Sequence, residues 1–240
     1  MNLAPGDPNS KALNGLAEYS RTVIGNAVRR EPTPQKMVQV FRKAALITDA
    51  NIREKLAIVE RLPPEQQIGR TLACGPGCAY CCYQWVRCTV PEVLAVAEYI
   101  RQNWIAPEIE TLIVDLGRYR EEFTSKPKGS LFALPCPLLR DNMCSVYGVR
   151  PFICRGCNSL DVEKCAEGVV NPLETLIPVA MPLVNIAAAI RQGITQGIGD
   201  VGLPNKELVF ALALATALQI PDAGTRYLAG ENVFISDQAD

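Results

Sequence analysis

Residues 74–92 read Cys74-Gly-Pro-Gly-Cys78-Ala-Tyr-Cys81-Cys82-Tyr-Gln-Trp-Val-Arg-Cys88-Thr89-Val-Pro-Glu92. Two signals meet in this stretch. Gly75-Pro76-Gly77 forces a turn between the first two thiols, because glycine reaches backbone conformations closed to other residues and proline presets a torsion. Thr89 with Glu92 three residues later makes a capping box, so a helix opens there and runs to about residue 104. A thiol-rich loop feeding a capped helix predicts an irregular site carried on a helical scaffold.

Working upstream, Ser10 can cap a helix through residue 30 with Leu13, Leu16, Ala17, Ile24 and Val28 on its apolar face. Thr33-Pro34 is an N-cap followed by proline at the first helical position. Met37, Val40, Phe41, Ala44 and Ala45 follow at helical spacing, and a separate helix over about 52–61 ends at Pro63-Pro64. Working downstream, 85–89 suits a short strand, Pro107 opens a helix to residue 126, and 127–137 is a loop. Short irregular pieces carry Cys144 to Cys157. Asp161 can cap a short helix holding Cys165, and two apolar helices follow over about 178–196 and 205–219, with a short one after Pro221. Gly197-Ile-Gly199-Asp-Val-Gly202 spells a dinucleotide-binding pattern, but it follows a helix instead of a strand and reads as a flexible inter-helix loop. Almost nothing alternates with period two. The expected fold is mainly α, a helical scaffold around an irregular cysteine-rich metal site with at most a few short strands. Its expected segments are 1–66 (helical), 67–170 (cysteine cluster) and 171–240 (helical, packed on the cluster).

The chain has 240 residues, 10 cysteines and no histidine. Without histidine there is no Ser-His-Asp triad, no Cys-His nucleophile pair and no imidazole-ligated zinc, iron or haem. A transition-metal site must then draw on sulfur, carboxylate or backbone. Hydrophobic residues at 48% and charged residues at 20% place the chain among globular proteins and not disordered ones. The net charge of -1 gives no global electrostatic case for nucleic acid or a membrane surface. Residues 1–73 carry 11 Lys/Arg against 7 Asp/Glu, and residues 166–240 carry 3 against 8, which suits two solvated faces attracting each other. Residues 1–7 lack the basic and apolar regions of a signal peptide. The most apolar runs, 176–190 and 208–220, are short of a bilayer span. A cytoplasmic location is expected, where thiols serve as metal ligands or redox groups more than as structural disulfides.

All ten cysteines lie between Cys74 and Cys165. The second group is Cys136-Pro-Leu-Leu-Arg-Asp-Asn-Met-Cys144, then Ser-Val-Tyr147-Gly-Val-Arg150-Pro151-Phe-Ile-Cys154-Arg155-Gly-Cys157. Sulfur ligates as thiolate, so several of them leave a site negative. Arg150 and Arg155 flank Cys154 and are candidates to offset that charge around a bound cofactor. Cys88, within the strand-like 85–89, reads as a small buried hydrophobe. Tyr80, Tyr83, Trp85 and Tyr147 read as packing that excludes water.

Cys78-x-x-Cys81-Cys82, Cys136-Pro-x-Leu and Cys144-x-x-Tyr147-x-x-Arg150-Pro151-x-x-Cys154-Arg155 resemble the YkgJ-type cysteine-cluster family, the CxxCxxCC zinc- or iron-chelating domain. The resemblance covers roughly residues 70–166. It implies metal ligands at Cys74, Cys78, Cys81, Cys82, Cys136, Cys144 and Cys154, with Cys165 preferred to Cys157 for an eighth. The chain departs from the pattern in its first spacing, three residues between Cys74 and Cys78 where the family has two. A related flagellin lysine methylase carries the same type of cluster with an iron–sulfur centre, so the resemblance implies metal binding and leaves the reaction open. A tetrahedral four-sulfur site suits zinc or iron–sulfur alike, with iron–sulfur slightly preferred. The expected function is a cytosolic protein holding such a centre, with a possible protein partner for the basic N-terminal helices and no nucleic acid or membrane. The alternatives are a protein-modifying enzyme of the methylase kind, and a thiol oxidoreductase using Cys78-Ala-Tyr-Cys81.

Overall fold

The structure, a computed structural model, describes residues 8–67, 69–127 and 133–239. Residues 1–7 and 128–132, the latter inside the expected 127–137 loop, lie outside the described residues. The fold is mainly α, with four two-residue strands among the described residues.

The first two helices are longer than the sequence suggests. Helix α1 spans Pro8–Arg30 and starts before Ser10, with proline in the first position where its missing N–H costs nothing. Helix α2 runs unbroken over Pro34–Glu60, so the separate helix expected over 52–61 does not exist. No glycine or proline lies between residues 35 and 61. The polar side chains in its middle fold back onto the helix: Thr48 Oγ1 donates to Ala44 O at 2.8 Å and Asn51 Nδ2 to Ile47 O at 2.9 Å. Thr33 caps α2 by accepting from the Lys36 amide at 3.2 Å. Thr33→Ala is expected to cost about 1 kcal/mol, while Thr33→Asp should leave the denaturation midpoint nearly unchanged. An unchanged midpoint for the alanine variant would remove the cap from the account of this helix.

After the short α3, Pro64–Gln67, the chain passes through the first thiol loop to β1, Arg87–Cys88. Helix α4, Val90–Asn103, opens on the Thr89/Glu92 capping box, and α5, Ala106–Ser125, has Pro107 in its first turn. Strands β2, Leu139–Arg140, and β3, Met143–Cys144, form a hairpin. Then come α6, Phe152–Gly156; α7, Val162–Val170; α8, Met181–Gly199; β4, Leu208–Val209; α9, Phe210–Gln219; and α10, Ala223–Leu228. Residues 205–209 are not helical as expected, because β4 pairs antiparallel with β1, Cys88 opposite Leu208.

One hydrophobic core runs through all three expected segments. Helix α1 packs on α8, α2 on α4, α5 on α9, and α6 on α8. Helix α9 is apolar nearly all round and buried, as a central helix must be. The Phe41 ring of α2 meets the Phe152 ring of α6 edge-on at 5.2 Å, tying the N-terminal helices to the cysteine segment. The unlike charges of the two flanks meet where Arg21 of α1 holds Asp200, just past α8, at 2.6 Å. No helix among the described residues is long and apolar enough to cross a membrane.

Candidate metal centre

Four short segments carry the thiols to one end of the scaffold. The first is the loop before β1. The Cys78 amide donates to Gly75 O at 3.1 Å, with Pro76 and Gly77 (φ +82°) as the central residues, the features of a type II turn. Ahead of it, the Ala73 amide bonds Ser159 O at 2.9 Å and the Ser159 amide donates to Cys74 Sγ at 3.2 Å. Behind it, Cys81 and Cys82 sit in a single 3-10 turn, Tyr80–Tyr83, which packs against α7.

The second segment is the β2–β3 hairpin. Asp141 and Asn142 both have positive φ (50° and 58°), the requirement of a two-residue type I′ turn. Cys144 stands opposite Leu139, and the Ser145 amide bonds Leu138 O at 3.0 Å. Backbone amides two residues on point at the sulfurs, Leu138 at Cys136 and Val146 at Cys144. The Cys136 amide in turn donates to Cys82 O at 2.8 Å, joining hairpin to first loop.

Helices α6 and α7 supply the rest. Cys154 lies within α6, and Cys157 is its C-cap residue, with its amide on Ile153 O at 2.8 Å. Asp161 caps α7 by accepting from Glu163 and Lys164, and Cys165 sits one turn in. The N-terminus of α6 is held from below by Glu92. This fully buried carboxylate accepts from Thr89 N at 2.6 Å, Thr89 Oγ1 at 2.7 Å and Phe152 N at 2.8 Å.

Cys81 is the hub. The neighbouring Cys157 and Cys82 thiols hold it far below the ordinary thiol range, and it pushes both of them up. Its negative charge also reaches Cys74, Cys136, Cys144 and Cys154. Burial pushes Cys136 up to about 11 and Cys154 well above its ordinary value, so these thiols stay protonated until a cation repays their ionisation. Cys78 and Cys165 both act on Cys74. Cys154 acts in turn on Cys88, so charge alone does not set Cys88 apart; burial does, and the other nine thiols lie on the four segments described. Cys88 is the tenth, with no exposed surface and its thiol on Leu208 O at 3.7 Å, a core residue. Among the described residues, no three cysteine, aspartate or glutamate side chains are arranged to hold one ion. The thiols are gathered without forming a finished coordination polyhedron.

The two arginines part company. The Arg150 guanidinium lies over the Tyr147 ring at 3.7 Å and donates to Tyr147 O at 2.8 Å. Its charge favours the thiolates of Cys81 and Cys144, the disposition expected of a charge-offsetting residue. Tyr147 itself is exposed and serves as the ring beneath Arg150, not as buried packing. Arg155 is buried and fully engaged: Nη1 with Asp49 of α2 at 2.6 Å, Nε with Arg150 O at 3.0 Å and Nη2 with Gly148 O at 2.7 Å. It steadies the segment that presents Arg150, and its charge also interacts with Cys154.

Sequence reasoning missed the hairpin and left Cys157 outside the preferred eight. Asp141-Asn142 between Leu139-Arg140 and Met143-Cys144 was the available signal for the hairpin. For Cys157 the only signal was its spacing of three from Cys154. Comparison of the chain with family models, with curated proteins and with solved structures gives no match, so the YkgJ-type resemblance rests on the motif residues themselves.

Proposed function

We propose that residues 74–165 hold a thiolate-ligated metal centre, an iron–sulfur cluster or zinc, in a cytoplasmic protein. The observation that carries this is that nine of the ten thiols lie on four short segments joined to one another, the first loop to the hairpin through the Cys136 amide on Cys82 O, to the end of α6 through the Ala73 amide on Ser159 O, and to α7 by packing, in a chain without histidine. The donors fit the group chemically. Sulfur in this number suits zinc or an iron–sulfur cluster. The Ser159, Leu138 and Val146 amides aimed at sulfur stabilise thiolate, as does Arg150.

Cys74, Cys78, Cys81, Cys82, Cys136, Cys144, Cys154 and Cys165 would hold the metal, with Cys157 beside Cys81 as a ninth donor. A bound cluster would supply one-electron chemistry, and zinc would supply a structural crosslink. The chain's own groups hold the sulfurs in place, exclude water on the α4 and α6 side and offset negative charge.

Protein purified without oxygen is expected to carry iron with visible absorption, or zinc without it. Cys154→Ser should lose most of the metal, because its thiol is buried within the set and serine oxygen is a poor ligand for a soft site. Colourless wild-type protein containing neither metal would overturn the assignment.

A further inference from the structure

We propose that residues 161–177 form an arm by which the chain docks on a second copy of itself, the arm of each copy lying against residues 49–60, the C-terminal half of α2, of the other. The contact does not rest on the metal-centre reading.

The arm is a closed excursion from the scaffold. Its base is stitched together where the Leu160 amide donates to Pro178 O at 2.9 Å, the Ala180 amide to Asn158 Oδ1 at 2.7 Å and Ser159 Oγ to Pro178 O at 3.3 Å. Within it Ile177 folds back on α7, so that a Cβ at Gly168 would lie 2.9 Å from Ile177 Cδ1. Helix α7 also packs on the 3-10 turn of Cys81 and Cys82. Even so, residues 160–182 contain no buried side chain. Val170, Leu173 and Leu176, at 76%, 79% and 89% exposure, are the most exposed large hydrophobic side chains among the described residues. Single apolar residues scattered over a surface need no explanation. Three within 170–176, with Val162 also exposed, mark a contact surface.

Charge and position choose the occupant. The arm carries Asp161, Glu163, Glu167 and Glu174 against Lys164, whose ammonium is taken by Glu167. Such a surface suits one that is cationic and apolar. The far half of α2 has that character. Beyond Thr48 the helix has no buried side chain, and Ile52 is its last residue packed on the core. Ile58 is 48% exposed, with Leu56 and Val59 half-buried. Arg53, Lys55 and Arg61 outnumber Glu54 and Glu60. Among the described residues the ion pairs of α2 use Lys36, Arg42 and Asp49, and none uses those three cations. Both surfaces start from the same end of the molecule. Asp49 holds Arg155 of α6 at 2.6 Å, and Asn158 and Ser159, just past α6, hold the base of the arm. A two-fold axis at this end lets each copy cover what the other leaves bare, in a contact that closes on itself.

The test uses full-length chain as purified, under reductant so that no disulfide contributes. Sedimentation velocity is expected to give twice the 26.2 kDa of one chain; a monomer at every concentration overturns the proposal. Leu173→Glu, Leu176→Glu and Ile58→Glu are each expected to shift the chain to monomer with unchanged circular dichroism. Val114→Glu, at an exposed site on α5, should leave it dimeric. A dimer that survives all three of the first set overturns the proposal, as does one that Val114→Glu also breaks. Glu163→Arg/Glu174→Arg should weaken association at least about tenfold. Adding Arg53→Glu/Lys55→Glu to the same chain should restore it, whereas a dimer built arm against arm would stay weak, which overturns the pairing. A crosslink keeps the test decisive if a variant folds poorly. With photoreactive p-benzoylphenylalanine in place of Leu176, heavy-isotope-labelled and unlabelled chains are mixed, irradiated and digested with trypsin. Fragment 165–191 of one isotope is expected to be joined to 44–53 or 56–61 of the other; joining to any other fragment of the second copy overturns the pairing.

Discussion

Gly193→Ala is expected to lower the stability of the whole chain by about 2–3 kcal/mol, on the order of 5–10 °C in Tm at this length. Helix α8 meets α1 along Gly193 and Gly197, one turn apart. A Cβ at Gly193 would lie 2.0 Å from Ala17 O and 2.9 Å from Ser20 Cβ. A Cβ at Gly197 would lie 2.4 Å from Arg21 O. The nearest obstacle at both positions is a backbone carbonyl of α1, so no rotamer change relieves the clash and the helices must separate. The loss exceeds the roughly 1 kcal/mol that alanine gains over glycine in a helix interior. Gly117→Ala in α5 is the control of opposite sign, since nothing lies within 4 Å of its added Cβ and only the propensity gain remains. Thermal unfolding followed by circular dichroism compares the two. A Gly193→Ala chain as stable as Gly117→Ala would mean that α1 and α8 are not in close contact.

Those glycines also show where sequence reasoning reached its limit. Gly197-x-Gly199 was expected to be a flexible loop, because glycine in isolation signals freedom. In the structure α8 runs through Gly199, and Gly197 is chosen for its missing side chain, a property of the partner helix that no local window contains. Helix starts were more legible, because a cap is a local device. Thr33, the Thr89/Glu92 pair and Asp161 each act on amides two or three residues away, and all cap where expected. Breaks were less legible. The Thr48-Asp49-Ala50-Asn51 stretch has polar residues that favour turns, yet α2 continues because Ala44 and Ala45 pack into the core on one side. Asp49 holds Arg155 on another side. The thiol set was legible in its membership and not in its pairing. Sequence spacing favoured Cys78 with Cys81. The joins that form, the Cys136 amide on Cys82 O and the Ala73 amide on Ser159 O, run between segments far apart in the sequence.

Glu92→Ala is expected to have the larger effect on the site and a comparable or larger one on stability. Glu92 was legible only as the far end of a capping box, a solvent-side device in most helices. Here it has no exposed surface, and its second oxygen takes the first amide of α6. Burial pushes its carboxyl up, while the Phe152 amide and the Thr89 hydroxyl and amide pull it back. Removing it leaves two buried amides and a hydroxyl without an acceptor, at roughly 1–3 kcal/mol each, for a total of at least about 3 kcal/mol. Stability alone would not distinguish this residue from Gly193. The distinguishing quantity is metal content, measured at a temperature where circular dichroism shows both variants folded. Glu92 acts on the thiol set through α6, two residues before Cys154, whereas Gly193 acts between α1 and α8. A weakened orienting contact beside a metal ligand costs about 10–100-fold in affinity, so Glu92→Ala should lose metal to a competing chelator at least about tenfold more readily than Gly193→Ala does. Glu92→Gln should fall between wild type and alanine, since its amide keeps one acceptor oxygen but turns a donor toward the others. Equal chelator resistance in the alanine variants of Glu92 and Gly193 would reduce Glu92 to a stability residue and leave Cys154 positioned by α6 packing alone.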